Sequence, residues 1–358
     1  METADAFFGK LHSQQANNKP FVVYAKPGQQ EVAGIFQRDA ATYLTTTFAE
    51  PGFVFAAFDG NDNYLIPENA SDVLVCDAAD FGIANVENPT TEENPQAKAA
   101  FESLVSKGID AIKHGLFGKV VLSRKEEVHI SNLDAIAVFR KLLQTYPNAF
   151  RYFWFHPATG LWMGATPEQL IRAKDKQFNT VALAGTQPYN GTEEVEWQEK
   201  EIAEQQFVTD FISESLMNNV AGMTFSDSYT AKAGNLLHIK TDIEGTLHED
   251  LGLKPILDIL HPTPAVCGFP KAEAKQFILE NEGYDREFYS GFLGEINKDF
   301  VHDKKGSELY VNLRCMKIDG DDAHLYMGCG ITKDSNPEKE FTETVNKSLT
   351  MKKVLLCN

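Results

Sequence analysis

Between residues 95 and 114 the apolar residues Ala99, Phe101, Leu104, Val105, Ile109 and Ile112 recur at helical spacing, and strand-like runs lie on both sides of them. Gly115 supplies a stop for this helix. A chain that mixes long amphipathic helices with short strands must bury both kinds of face in a shared core, which places it in a mixed helix and sheet class. Upstream, residues 21–24, 53–58 and 72–75 read as strands separated by the turn clusters PGQQ, FDGND and PENAS. Downstream, strands are expected at 120–124, 150–156 and 161–165, with a helix over 133–143 capped by Asn132. Two more helices are expected. One runs over 193–218 with Trp197, Phe207, Phe211 and Ile212 inward, and one over 337–354 opens on a Ser335 and Glu338 capping box with Pro337 in its first turn. No internal repeat, low-complexity tract or linker divides the 358 residues, so they read as one unit.

Composition narrows the partners. A content of 43% apolar residues is ample for a large core, and a net charge of -18 argues against nucleic acid or an anionic membrane surface. An anionic substrate would then need a cation to help it bind. The five cysteines, Cys76, Cys267, Cys315, Cys329 and Cys357, are odd in number and never spaced as CxxC, which fits neither a disulfide framework nor a zinc cluster and suits a reducing cytoplasm. The acidic start METADAFFGKL has no basic region or apolar stretch of the signal-peptide kind, and no run of about 18 apolar residues suggests a membrane span.

Several residues stand out, each with a plain alternative. Glu201 and Glu204 are three apart on one expected helix, and Glu340 and Glu343 on another, so each pair shares a face. Brought together, four carboxylates without Cys or His select magnesium, manganese or calcium, yet solvated acidic faces look the same in sequence. Lys119 ahead of VVLS is either a strand-edge gatekeeper or, if it can lose its proton, a general base. Glu168, after Thr166 and Pro167, is either a loop acid or a buried proton donor. His238 in NLLHIK has the setting of a satisfied core histidine, whereas Arg314 in the strand-like YVNLRCM calls for an anionic partner, protein or ligand. Gly328 and Gly330 in MGCGI permit close approach to a ligand or mark a tight strand bend. No GxGxxG or GxxxxGK[ST] motif supports nucleotide binding.

Read in order, KVVLSR (119–124), GATPEQL (164–170), LAGT (183–186), KEIAEQ (200–205), LLHIKT (236–241), HPTPAVCGFPK (261–271), DREFYSGFLG (285–294), VNLRC (311–315) and GCGITKDSNPEKEFTETVNK (328–347) resemble the chorismate-utilising enzymes. That family includes isochorismate, salicylate, anthranilate and aminodeoxychorismate synthases. The resemblance covers roughly residues 115–355; the first hundred residues match poorly. It implies an α+β fold, a single large domain whose antiparallel sheet core of two packed sheets is wrapped by helices, with the site in a cleft between them. Residues 1–95 would form an N-terminal strand-rich part of that fold and 96–358 the chorismate-binding catalytic region.

The resemblance also implies roles. Lys119 corresponds to the base that activates water and Glu168 to the acid that protonates the departing hydroxyl. Glu204 and Glu343 match magnesium ligands, with Glu201 and Glu340 holding waters on the metal. Tyr289, Arg314 and the backbone at Gly328 and Gly330 match the pocket for the substrate carboxylates, and Gly185, Thr186, His238, Ala265 and Lys347 line the same site. Ala184 stands where one type of aminodeoxychorismate synthase carries a nucleophilic lysine, Ala265 where anthranilate and salicylate synthases show Thr, and ammonia-using relatives lack a lysine at position 119. These positions imply an isochorismate synthase that uses water and magnesium, needs no glutamine amidotransferase subunit, and serves menaquinone or siderophore biosynthesis. Salicylate synthase is the alternative, followed by anthranilate synthase component I.

Overall fold

The computed structural model describes residues 3–82, 89, 94–233, 236–248 and 252–356. Cys357 lies outside the described residues. Seven α-helices occur among the described residues: α1 (Ala4–Ala16), α2 (Pro95–Lys113), α3 (Ala135–Thr145), α4 (Glu199–Leu216), α5 (Lys254–Leu260), α6 (Lys271–Asn281) and α7 (Pro337–Leu355). The strands form two antiparallel sheets. The first runs, edge to edge, Gly268–Phe269, Lys119–His129, Asp322–Ile331, Cys315–Asp319, Gly160–Thr166, Phe150–His156, Phe21–Ala25, Glu31–Gln37 and Ser71–Asp77. The second runs Val220–Phe225, Leu236–Leu247, Gln177–Pro188, Gln169–Lys174, Ser307–Val311, Phe292–Ile296, Gly52–Ala56, Asn63–Pro67 and Tyr43–Leu44, with Tyr229–Ala233 also paired to Leu236–Leu247. Strands from the first eighty residues therefore complete both sheets. The α+β class expected from sequence is the class observed.

The sheets meet through aromatic rings. Phe55 of the second sheet packs on Trp154 of the first at 4.9 Å between centroids, and Phe288 stacks on Phe55 at 4.3 Å. Tyr310 stacks on Phe150 at 4.3 Å and Tyr24 lies 5.0 Å from Phe53. Beside these rings Lys26 Nζ pairs with Glu295 Oε2 at 2.6 Å, both side chains almost fully buried, and Tyr24 donates its hydroxyl proton to the same carboxylate. The charge is tolerated there because each member has a partner. On the outer face of the first sheet, α7 packs on the strand Asp322–Ile331 and against α2 and α3, while α4 covers the strands Gln177–Pro188 and Leu236–Leu247 of the second.

The local signals behave as expected at some ends and not at others. α2 begins with Pro95 after Asn94, whose side chain accepts from the N–H groups of Gln96 and Ala97, and ends before Gly115 at φ 78°. The cap of α3 is Asp134, not Asn132; Asn132 instead sits at φ 58° in the preceding turn. Asn336, not Ser335, caps α7 by accepting from Lys339 N–H, and the Ser335 hydroxyl accepts from Thr332 N–H. α4 starts at Glu199 rather than 193, which leaves Trp197 before the helix with its indole N–H on Thr230, and Phe207 remains 40% exposed rather than inward. Arg314 is not in a strand but in the connector that crosses from one sheet to the other, at φ 48°. α1 lies within the N-terminal part expected to be strand-rich. Its buried Phe7 and Leu11, one turn apart, seat it against the outer face of the first sheet through Phe36 and Phe81.

Phe55 is fully buried between the sheets, so Phe55→Ala should lower the unfolding free energy by about 3–5 kcal/mol. Urea titration measures this, and a loss below about 1 kcal/mol would show that the sheets are held together elsewhere.

Candidate active site

The strand Lys119–His129 pairs with Asp322–Ile331 so that Val121 lies opposite Gly330 and Ser123 opposite Gly328. Both glycines sit in extended strand; the tight bend considered from sequence is not there. Space requires the first, while the second is closely approached by a flexible lysine chain. A Cβ on Gly328 would lie 2.8 Å from Leu122 O and 2.9 Å from Tyr289 Oη, and one on Gly330 would lie 3.2 Å from Lys119 Cε. Lys119 opens its strand opposite Phe269, and its Nζ is 2.6 Å from Glu204 Oε1 of α4.

The first turn of α4 lies against the LAGT segment. Glu201 accepts the Gln198 N–H at 3.0 Å, and a Cβ on Gly185 would come 3.1 Å from Glu201 Cβ. Gly185 also has φ 68°, so both conformation and clearance restrict the position to glycine. A register shift between Ala184 and Gln187 bulges this strand, and the freed Gly185 carbonyl accepts from His238 Nδ1 at 2.9 Å. That bond fixes the proton on Nδ1, and burial lowers the pKa of His238. The backbone of Thr186 belongs to the bulged strand; its side chain lies outside the described residues.

From α7, Lys347 reaches into the same region. Its Nζ lies 2.6 Å from Glu343 Oε1 and donates to Gly328 O at 2.8 Å. Burial raises the pKa of Glu340; a hydrogen bond from Ser335 opposes the shift, and the neighbouring Glu343 carboxylate adds to it.

Glu168 and Arg314 are clamped together by backbone bonds. Ala165 N–H donates to Arg314 O at 3.0 Å, Val311 N–H donates to Glu168 O at 2.9 Å, and Thr166 Oγ1 donates to Val311 O at 2.6 Å. Burial raises the Glu168 carboxyl to about 7, against the opposing pull of Arg314, Lys347 and Lys119. Arg314 makes no ion pair among the described residues, and burial lowers its pKa although Tyr289, Glu343 and Glu168 are near enough to act the other way. Tyr289 is 3% exposed, and burial raises its phenol pKa. Ala265 lines a small cavity with Glu168, Leu183, Phe211 and Thr263.

Segments singled out in sequence approach one another here: Lys119, Arg314 and Lys347 all lie near enough to act on the Glu168 carboxyl, Lys119 pairs with Glu204, and Ala265 shares a small cavity with Glu168. Arg286, passed over in sequence, lies behind the same wall at 2% exposure. Arg286 stands between Asp285 and Glu287 in DREFYSGFLG, where nothing in the sequence marks it as buried.

The four carboxylates do not arrive as a finished metal cage. Among the described residues no group of three or more His, Cys, Asp or Glu side chains is close enough to hold a metal. Glu204 and Glu343 are instead each paired with a lysine. The donor chemistry still fits a hard divalent cation: all four donors are oxygens, and the burial and mutual repulsion that raise Glu340 are what a cation would relieve.

A family model for chorismate binding enzymes matches residues 73–356. The chain is 29% identical over 277 residues to the salicylate biosynthesis isochorismate synthase of Pseudomonas aeruginosa, covering 74% of this chain and 56% of that protein. It is 28% identical over 275 residues to the isochorismate synthase MenF of Escherichia coli, covering 74% of this chain and 62% of that one. The match thus spans less than two thirds of the length of either relative. The solved structure of the menaquinone-specific isochorismate synthase MenF from Escherichia coli superposes with a TM-score of 0.78 at 23% identity, covering 94% of this chain and 88% of that one, a likeness of fold. On the extent of the family match, this chain belongs to the chorismate binding enzymes.

Proposed function

We propose that this chain is an isochorismate synthase, which converts chorismate to isochorismate with magnesium and feeds menaquinone or siderophore biosynthesis. The observation that carries the reading is that Lys119, Arg314 and Lys347 all act on the buried Glu168 carboxyl, while Arg314 makes no ion pair among the described residues. Chorismate is a dianion, and an arginine without an ion pair in a chain of net charge -18 is a receptor for one of its carboxylates. Similarity to enzymes named as isochorismate synthases supports the same reaction.

In this reading Lys119 takes a proton from water as the water oxygen bonds to ring carbon 2. The ring double bonds shift, the bond from carbon 4 to its hydroxyl oxygen breaks, and Glu168 delivers the proton that lets it leave as water. A carboxyl held near 7 is suited to that donation at neutral pH. One proton arrives on Lys119 as one leaves Glu168, so turnover keeps the proton count of the pair, and forward and reverse reactions need the same total protonation. Water both enters and leaves, which makes the reaction reversible.

Lys119 must part from its proton, and it stands in an ion pair with Glu204. A magnesium ion held by Glu204 and Glu343, with Glu201 and Glu340 behind them, would supply positive charge for a substrate carboxylate. Glu204 would then exchange its lysine partner for the cation. Tyr289, His238, Gly185, Thr186, Gly328, Gly330, Ala265 and Lys347 form the substrate pocket in this reading. With Ala at 265 rather than a hydroxyl-bearing residue, the reaction stops at isochorismate.

Chorismate incubated with the pure protein and magnesium should yield isochorismate, with no pyruvate or salicylate. Activity should vanish with a chelator and return with magnesium, and Lys119→Ala should abolish it. Product chromatography decides: anthranilate formed with ammonia, or turnover by Lys119→Ala near the wild-type rate, contradicts the assignment.

Glu168 provides a second check. Its protonated carboxyl stretch in infrared difference spectra should disappear as pH rises through about 7, and should be missing from Glu168→Gln, whose turnover should fall by about 10²–10⁴. Because the folded carboxyl is raised from 4.5, its favourable contribution to stability is complete below 4.5 and is lost as pH rises to about 7. Glu168→Gln should therefore flatten that part of the curve of stability against pH. A carboxyl that titrates near 4.5 would remove Glu168 as the acid.

A further inference from the structure

The strand that begins with Lys119 is paired on one side with Asp322–Ile331 from Val120 to His129, but on the other, among the described residues, with only Gly268 opposite Val120 and Phe269 opposite Lys119. Val121 N–H still finds Cys267 O at 2.8 Å. Beyond that point the ladder is continued by side chains. Arg286 donates to Val121 O at 2.7 Å, and the Glu282 carboxylate accepts from Ser123 N–H at 2.7 Å and from the Ser123 hydroxyl at 2.9 Å. The two side chains are joined to each other through Arg286 Nε on Glu282 Oε2 at 2.7 Å and a second bond to Oε1, and both are 1% exposed. A guanidinium and a carboxylate thus supply the donor and acceptor that a neighbouring strand would have supplied.

The same guanidinium donates to Val266 O at 3.0 Å, one residue beyond Ala265, and lies 4.4 Å from the Phe58 ring centroid and 5.7 Å from that of Tyr289. Three walls of the pocket meet on it: the Lys119 strand, the Ala265 loop and Tyr289.

We propose that the Arg286 and Glu282 pair is a positioning element for the reaction, fixing the Lys119 strand against the Ala265 loop by standing in for a missing strand. The proposal rests on the isochorismate synthase reading for its kinetic consequence, but not for its structural one. Only a planar fork can reach Glu282, Val121 and Val266 together, so a lysine at 286 keeps the charge and loses the geometry.

The test is Arg286→Lys alongside the wild type, with steady-state kinetics on chorismate and amide hydrogen exchange read by mass spectrometry of peptides covering residues 119–124. The expected result is a fall in kcat of about 100-fold with KM within about threefold, since a base displaced by about 1 Å loses that much. Exchange over 119–124 should speed by about tenfold while the strand Phe150–His156 keeps its protection. Glu282→Gln, which keeps an acceptor oxygen but loses the charge, should show the same pattern at smaller amplitude. If Arg286→Lys does not fold, Ser123→Ala removes the hydroxyl's bonds to Glu282 and to Tyr284 and should lower kcat by about threefold without altering KM. Unchanged kcat in folded variants, KM and kcat falling apart in the opposite sense, or unchanged exchange over 119–124 would overturn the proposal. A wild type inactive on chorismate would sink the reaction assigned above, and the exchange result would then decide the positioning role by itself.

Discussion

Two antiparallel sheets hold this molecule together by aromatic contact, and the site lies at the far end of that contact. Phe288 stacks on Phe55 and meets Trp162 edge-on at 5.7 Å; Trp162 stacks on Tyr326 at 5.2 Å, and Tyr326 on Tyr289 at 5.6 Å. A continuous run of rings therefore leads from the centre of the inter-sheet core to a side chain of the site. Rings packed face to face and edge to face allow little sliding, so Tyr289 inherits the rigidity of the core. Chain crossing between the sheets at residues 312–314 uses the same rigidity: Asn312 donates to Phe288 O and accepts from Tyr152, and two residues later Arg314 is held in an unusual backbone conformation.

On that frame an acidic chain gathers four cationic side chains at the site, held in three ways. Lys119 and Lys347 are neutralised by carboxylates of α4 and α7, while Arg314 is held without an ion pair among the described residues, and Arg286 is satisfied entirely behind the wall. Glu168 is the counterpart: a carboxyl kept partly neutral by burial despite three cations around it.

The parts of this legible in sequence were those that depend on local pattern or on chemistry a motif must keep. The helix α2 follows from periodicity and punctuation, and the strands Phe21–Ala25 and Phe150–His156, buried on both faces, follow from short runs rich in apolar and aromatic residues. α1 was not legible, since a helix that buries mainly Phe7 and Leu11 leaves too sparse a stripe. Caps were misplaced by one or two residues at Asn132 and Ser335 because Asn, Asp and Ser compete for the same role and tertiary contacts choose among them. The acidic run before Glu199 reads as helix by composition, but the helix begins only at Glu199, and Glu193, Glu194, Glu196 and Gln198 stay exposed. Within the site, the residue identities came from ordered motifs, whereas their pairings did not. Nothing in spacing tells that Lys119 meets Glu204 across 85 positions, or that Glu282 completes the strand edge at Ser123 across 159.

The central claim is that water supplies the incoming oxygen and the departing one leaves from a different ring carbon. It is tested most directly by running the reaction in ¹⁸O-labelled water and locating the label by mass spectrometry and NMR. The account predicts one labelled oxygen per isochorismate, bonded to ring carbon 2, in initial product with magnesium present. Isochorismate formed without solvent label would mean that the hydroxyl moves within the substrate, and would contradict the roles assigned to Lys119 and Glu168.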